Sequence, residues 1–336
     1  MSPDRPILVV GATGFIGGAI VAALRREGAP VRAVARRAAS AGQLVAFGAE
    51  LVEADLLDPP SLRRAAEGTR LIYHAGGLNT MCPREPGRLF EVNVQGTLNL
   101  VEAAAAAGVK LVVYTSSAAT LGERRGTVAT VDCQHRGHYL STYEHSKHLA
   151  ERRALERARS LGVELVCVNP SSVQGPGRTG GTARWLIRYA DGRLRWMVDT
   201  RVSLVAVDDC VRAHLQAATL GVAGRRYLVS GATLGITELI DLVGELTGQH
   251  RRPRMVPAWA ARVGGTLVGA SFQVAGRRPP VCAEMVRTLL HGHAYDGSRA
   301  AQELEFSYTP FREFLARTLA WYWQQGLVRR RPESPA

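Results

Sequence analysis

The chain has 336 residues, 46% of them hydrophobic, enough for a sizeable core in one large α/β unit or two smaller ones. Its formal net charge is +13, but the arginines are dispersed as short pairs with no interleaved aromatics, which argues against a base-stacking nucleic-acid platform and leaves an arginine-rich, solvated surface with some attraction for anionic ligands. No uncharged apolar run approaches the roughly 20 residues of a bilayer span, so insertion into a membrane is not expected.

The amino-terminal "MSPDRPILVV" turns apolar only for a strand's length, so no signal peptide is expected. Cys82, Cys133, Cys167, Cys210 and Cys282 are odd in number and lack CxxC spacing. Neither a disulfide framework nor a thiolate metal site is therefore expected, and a cytoplasmic protein fits this reading.

In chain order, "PILVVGA" (6–12) reads as a buried strand and "FIGGAIVAALRREG" (15–28) as a helix ending on glycine. "VRAVAR" (31–36) is the second strand, followed by "AELVEAD" (49–55), "RLIYHAG" (70–76), "KLVVYTSS" (110–117) and "VELVCVNP" (163–170). Helical patterns lie between them, notably at 97–108 and 143–162. Apolar strands alternating with helices predict an α/β fold: a Rossmann-type, doubly wound parallel sheet. After Pro170, "SSVQGPGRTGGT" reads as a binding loop. "VSLVAVDDCVRAHLQAATLG" reads as a strand and a helix capped by Asp208 or Asp209, and "RRYLVSG" as another strand. From about residue 234 the pattern is mainly helical, clearest in "ITELIDLVGELTG" and "FREFLARTLAWYWQQG". The expected division is a dinucleotide-binding domain over 1–170 and about 202–230, a smaller, mainly helical substrate-binding subdomain over 171–201 and 231–326, and a disordered tail over 327–336.

"GATGFIG" puts Gly11, Gly14 and Gly17 at the first strand-to-helix junction. There they permit a tight turn, close approach of backbone to a pyrophosphate, and close packing of helix on strand. Thr13, Phe15 and Ile16 belong to the same loop. At the end of the second strand, where an acidic residue would accept from an adenosine ribose hydroxyl, stand Arg36 and Arg37. Planar cations suit a 2′-phosphate, so NADP(H) is expected over NAD(H). Asp55, with Leu56 beside it, is placed to meet the adenine amino group, and Ala75 and Gly76 leave room for the cofactor. In "YEHSK", Tyr143 and Lys147 are four apart and share a helix face, where an ammonium favours a phenolate and so tunes a general acid or base. Ser117 closes the strand "KLVVYTSS" at the carboxyl ends, where ligands of such sheets bind. His135 with His138, and His145 with His148, have spacings a metal could use, but no acidic or cysteine partner recurs near them; no metal is expected.

Together, "GATGFIG", "NVQGTLNLVEAA", "VVYTSSAATLG", "YEHSK", "NPSSVQGPG" and "YDGSRA" resemble the extended short-chain dehydrogenase/reductases, and within them the dihydroflavonol-4-reductase and 3β-hydroxysteroid dehydrogenase group. The resemblance implies that Tyr143 exchanges a proton with the reacting oxygen, that Lys147 binds the nicotinamide ribose and tunes Tyr143, and that Ser117 hydrogen-bonds the same oxygen. It also implies backbone or cofactor contact for Ser116, a cofactor-side place for Asn93, and positions flanking the nicotinamide for Pro170 and Val173. A homodimer built on the helices beginning near Thr97 and Tyr143 is implied as well. The expected activity is ketone–alcohol interconversion on a moderately large, partly apolar small molecule. A sugar-nucleotide epimerase of the hopanoid-associated type and a non-catalytic NADP(H)-binding sensor are the alternatives.

Overall fold

Residues with aliphatic side chains on both faces of a strand must be covered on both sides, and this requirement organises the chain. The computed structural model describes residues 4–37, 42–330 and 332. The first half runs β1 (Ile7–Val10), α1 (Phe15–Arg26), β2 (Val31–Ala35), α2 (Gly42–Ala46), β3 (Glu50–Glu53), α3 (Pro59–Ala66), β4 (Leu71–His74), α4 (Pro86–Phe90), α5 (Gly96–Ala106), β5 (Leu111–Thr115), α6 (Thr142–Leu161) and β6 (Glu164–Pro170). A π turn, Glu91–Gln95, joins α4 to α5, and a 3₁₀ turn, Ala118–Leu121, follows β5. The second half runs β7 (Ser172–Gln174), α7 (Thr182–Ala190), β8 (Trp196–Met197), β9 (Arg201–Ala206), α8 (Val207–Ala217), β10 (Arg226–Val229), β11 (Ala232–Gly235), α9 (Ile236–Thr247), β12 (Arg254–Met255), α10 (Ala258–Val274), α11 (Ala283–His291), α12 (Ser298–Glu303) and α13 (Phe311–Gln324).

Seven strands form one sheet in the order β10-β6-β5-β4-β1-β2-β3, every neighbour parallel. The order reverses between β1 and β4, which opens a crevice above their carboxyl ends. On one face Ile20, Val21 and Leu24 of α1 and Cys210, Val211 and Ala213 of α8 cover Val9, Tyr73, Val113 and Val166. On the other, Leu62 of α3, Leu100 and Ala104 of α5 and Ala154 of α6 cover Leu8, Ile72 and Val112. A further cluster draws Leu186, Leu239, Val243, Leu315 and Tyr322 from α7, α9 and α13 around β9 and β11. β9 pairs with β7 in parallel and with β11 antiparallel in a small separate sheet.

Three expectations need correction. Cys82 and Cys282 form a disulfide across a sequence separation of 200. No local spacing announces it, because tertiary packing brings the loop after β4 against the start of α11. The cytoplasmic expectation thereby loses the cysteine argument on which it rested. Asp208 and Asp209 do not cap α8: the N-cap is Ala206 with no side-chain cap bond, and both aspartates lie in the first turn. Asp209 instead accepts from Thr309 N and Thr309 Oγ1 at 2.8 Å each, tying α8 to the segment before α13. Of the expected tail, residues 331 and 333–336 lie outside the described residues, but Val328 is buried in the α7–α9–α13 cluster and Arg329 N donates to Asp191 Oδ1.

Candidate active site

The glycine loop is built so tightly that side chains would collide with backbone. Gly11 has φ +82°, and a Cβ there would lie 2.4 Å from Gly76 N; a Cβ on Gly17 would lie 2.2 Å from the Gly11 carbonyl oxygen. Gly14 is the N-cap of α1, which has no side-chain cap, so the first-turn N–H groups face the crevice. Thr13 and Gly14 are exposed above it. This cradle fits a dinucleotide, and so does Ser116: its Oγ is buried and without a hydrogen-bond partner. Arg36 and Arg37 are exposed immediately after β2. Asp55 Oδ1 accepts from Leu57 N at 2.8 Å, while Leu56 packs against Gly76 and Gly96. Asn93 is spent on protein: its Oδ1 accepts from Leu78 N at 2.7 Å, and its Nδ2 donates to the Leu78 carbonyl and to Ser146 Oγ at 3.0 Å each. It therefore fixes the rim loop after β4 to α6.

A cavity of about 470 Å³ opens beside this cradle, within the size range of small-molecule sites. It gathers Phe15, Ile16, Ala75, Gly76, Ser116, Ser117, Tyr143, Lys147, Pro170 and Val173 of the expected set. Gly11, Thr13, Gly14, Gly17, Arg36, Arg37, Asp55, Leu56 and Asn93 lie outside its lining.

α6 presents the central side chains. Ser141 Oγ accepts from Glu144 N at 3.2 Å as N-cap, and the Glu144 carboxylate accepts from Leu140 N at 2.8 Å and pairs with Arg136. One turn later Lys147 is buried, with Nζ donating to Tyr114 Oη at 2.7 Å and to the Thr115 carbonyl at 3.0 Å. Burial pulls its pKa down to about 8, against the opposing pull of Glu151 and Cys167. Burial pushes the Tyr143 phenol above its ordinary value, while a side-chain hydrogen bond with Ser117 and the charge of Arg178 act the other way. Arg178 is thus a cation bearing on the phenol that the sequence reading did not name.

Arg178 belongs to the expected binding loop, but its part was not legible. Its guanidinium lies 5.5 Å from the Phe15 ring centroid, and its Nε is buried without a partner. From the C-terminal helical region expected to bind substrate, Met285, Thr288 and Leu289 of α11, with His293 and Tyr295 after it, stand on the cavity wall, none of them singled out from the sequence. His293 Nδ1 and Glu123 Oε1 are 2.6 Å apart, and Tyr295 Oη is 3.1 Å from the same nitrogen. Burial alone would raise the Glu123 pKa, but the imidazoles of His291 and His293, 3.4 and 2.6 Å from Oε1, hold it at about 2. The sequence offered a hint in "HGH", whose alternate residues point one way in extended chain. Among the described residues, the side chains of Glu123, His291 and His293 are grouped closely enough to meet at a cation, whereas the grouping of Cys82, Cys282 and Glu284 has both its sulfurs committed to the disulfide. Of the earlier histidines, His145 stacks on Tyr139 with ring centroids 4.1 Å apart, and His135 and His148 make a tilted ring contact at 4.6 Å.

The sequence pattern of the NAD dependent epimerase/dehydratase family matches residues 7–230. "Sterol demethylase protein B" of Methylococcus capsulatus is 33% identical over 331 residues, 96% of this chain and 99% of that protein. A "putative dihydroflavonol 4-reductase" of Synechocystis is 28% identical over 330 residues, 96% and 95% of the two chains. The crystal structure of gox2253 superposes with a TM-score of 0.83 at 27% identity, covering 96% of this chain and 99% of that one. With its glycine cradle at the crevice of a parallel sheet and its serine–tyrosine–lysine cluster beside it, the chain belongs to the NAD dependent epimerase/dehydratase family, as an oxidoreductase of the extended short-chain dehydrogenase/reductase superfamily.

Proposed function

We propose that the protein is an NADP(H)-dependent reductase or dehydrogenase that interconverts a ketone and a secondary alcohol on a moderately large, partly apolar molecule. One observation carries this reading: Ser117, Tyr143 and Lys147 line one cavity, where burial pushes the Tyr143 phenol above its ordinary value and so favours its protonated form. A protonated phenol is a proton donor, which suits reduction of a carbonyl. Ser117 Oγ orients the reacting oxygen, Tyr143 delivers its proton, and Lys147 supplies a positive charge and a hydrogen-bond donor one helical turn away. A nicotinamide cofactor, when bound, supplies or accepts the hydride. Gly11, Gly14 and the first turn of α1 would hold its pyrophosphate, Ser116 would line its approach, Asn93 would act on the cofactor side by holding the loop after β4 in place, and Arg36 and Arg37 would take a 2′-phosphate.

The apolar side chains Leu78, Met81, Trp185, Met285 and Leu289 on the cavity wall support a partly apolar substrate. The sterol and dihydroflavonol in the relatives' names are molecules of that kind. The test is an NADPH-oxidation screen over steroid, flavonoid, aliphatic ketone and sugar-nucleotide substrates. Net NADPH consumption with a ketone, reduced by at least about a hundredfold in Tyr143→Phe with NADPH binding retained, is the expected result. Cofactor-neutral conversion of a nucleotide sugar, or full activity in Tyr143→Phe, would overturn it.

A further inference from the structure

α10 is a 17-residue helix in which Gly265 is the buried residue. A Cβ at Gly265 would lie 2.6 Å from Val286 Cγ2, and one at Gly269 would lie 3.5 Å from Cys282, so this edge is seated on α11 and the disulfide. The opposite side is apolar and open. Trp259, Val263 and Leu267 follow at steps of four and are 70%, 53% and 65% exposed, and Val274, seven further on, is 91% exposed. Residues at these spacings stack on one helix face. The chain on either side of that face is strongly basic: residues 246–283 contain Arg251, Arg252, Arg254, Arg262, Arg277 and Arg278 and no aspartate or glutamate, and among the described residues Arg252 alone of these six reaches a carboxylate, Asp241 at 2.7 Å. All six arginines are exposed.

We propose that α10 docks on the surface of an anionic lipid bilayer, lying in the interfacial plane with Trp259, Val263 and Leu267 among the headgroups and the flanking arginines on lipid phosphates. An amphipathic helix with tryptophan and leucine on one face and basic flanks has the chemistry of an interfacial anchor. No helix among the described residues is long and apolar enough to cross a membrane, and α10 carries Arg262 within it, so the contact is peripheral. Charge complementarity selects this occupant. A second copy docked face to face would bring twelve arginines onto one contact, two sets of the same six, of which Arg252 is paired with a carboxylate, Asp241 of α9. The placement also matters for access: the helix on which α10 rests, α11, lines the cavity through Met285, Thr288 and Leu289. Docking on α10 would therefore hold the cavity wall beside the bilayer and give the site a lipid-dissolved substrate. Docking itself does not depend on the reductase reading.

The experiment is co-sedimentation of the full-length protein with vesicles of phosphatidylcholine alone or doped with phosphatidylglycerol. Sedimentation is expected with the anionic vesicles and is expected to decline as salt is raised. Trp259→Ser combined with Leu267→Ser, and separately Arg262→Glu combined with Arg277→Glu, should each weaken it by about tenfold or more. Hydrogen exchange on the unaltered protein gives a readout that needs no variant: anionic vesicles should slow exchange across residues 258–274. Equal sedimentation with neutral and anionic vesicles, unchanged binding by both double variants, or no protection of α10 would each overturn the proposal. So would a dimer that Trp259→Ser with Leu267→Ser converts to monomer, or an acidic protein partner held by α10 that competes with no vesicle.

Discussion

Tyr143 is acted on by three influences of unequal sign: burial favours the phenol, while the Ser117 hydrogen bond and the Arg178 charge favour the phenolate. Removing the charge should therefore move the ionisation upward. Arg178→Met is expected to shift the alkaline limb of the pH–kcat profile to higher pH, a direction that loss of substrate affinity alone would not produce. The tyrosine and lysine were legible because an interval of four places both on one face of any helix, whatever the rest of the chain does. Arg178 was not legible as their neighbour, because its loop follows glycines with φ of +151° at Gly175 and +94° at Gly177, and such turns leave no periodic trace. Nor was the hold of Tyr114 on Lys147, a contact between β5 and α6 that joins residues 33 apart in sequence.

Among the elements, α6 joins stability to chemistry. Its N-cap Ser141 precedes Tyr143 by two residues, so Ser141→Ala should lower stability by about 1 kcal/mol, read as a fall in Tm. The end of β2 carries the cofactor choice. Replacing Arg36 and Arg37 together by serine should raise KM for NADPH by about tenfold or more while leaving KM for NADH nearly unchanged, because a charge-assisted bond to a 2′-phosphate is worth roughly 1.5–3 kcal/mol. The strands of the parallel sheet were readable as continuous apolar runs because both of their faces are covered. β9 was readable as a strand, but its small-sheet partners β7 and β11 were not. Three or four residues of mixed polarity, as in Ala232–Gly235, carry too little pattern to assign a pairing partner. α10 was hidden for another reason: its apolar residues face outward, so its pattern does not report a packed core.

For the molecule as a whole, two buried neutral histidines set the acid limit. Burial lowers His74 to about 3 and His214 to about 4 from an ordinary 6.5, the latter while its Nε2 lies 2.7 Å from Thr115 Oγ1. The folded pKa is below the unfolded one, so the unfolded chain binds more protons at mildly acid pH. Stability should thus be level above about pH 6.5 and fall steadily as pH drops toward 4, with a second loss below about 4.5 as Glu123, held at about 2, is protonated in the unfolded chain first. A Tm that is flat from pH 7 down to 4 would contradict this. The whole-chain feature that local patterns could least announce, the bond between Cys82 and Cys282, also divides the polypeptide topologically. It closes a covalent ring that contains Ser117, Tyr143, Lys147 and Arg178, while the glycine loop and α13 hang outside as two open arms. The exposed turn at Arg124 and Arg125 lies on the ring. A tryptic nick there should leave one species on a non-reducing gel and two fragments once the bond is reduced, so a chain cut beside its own active site stays a single molecule.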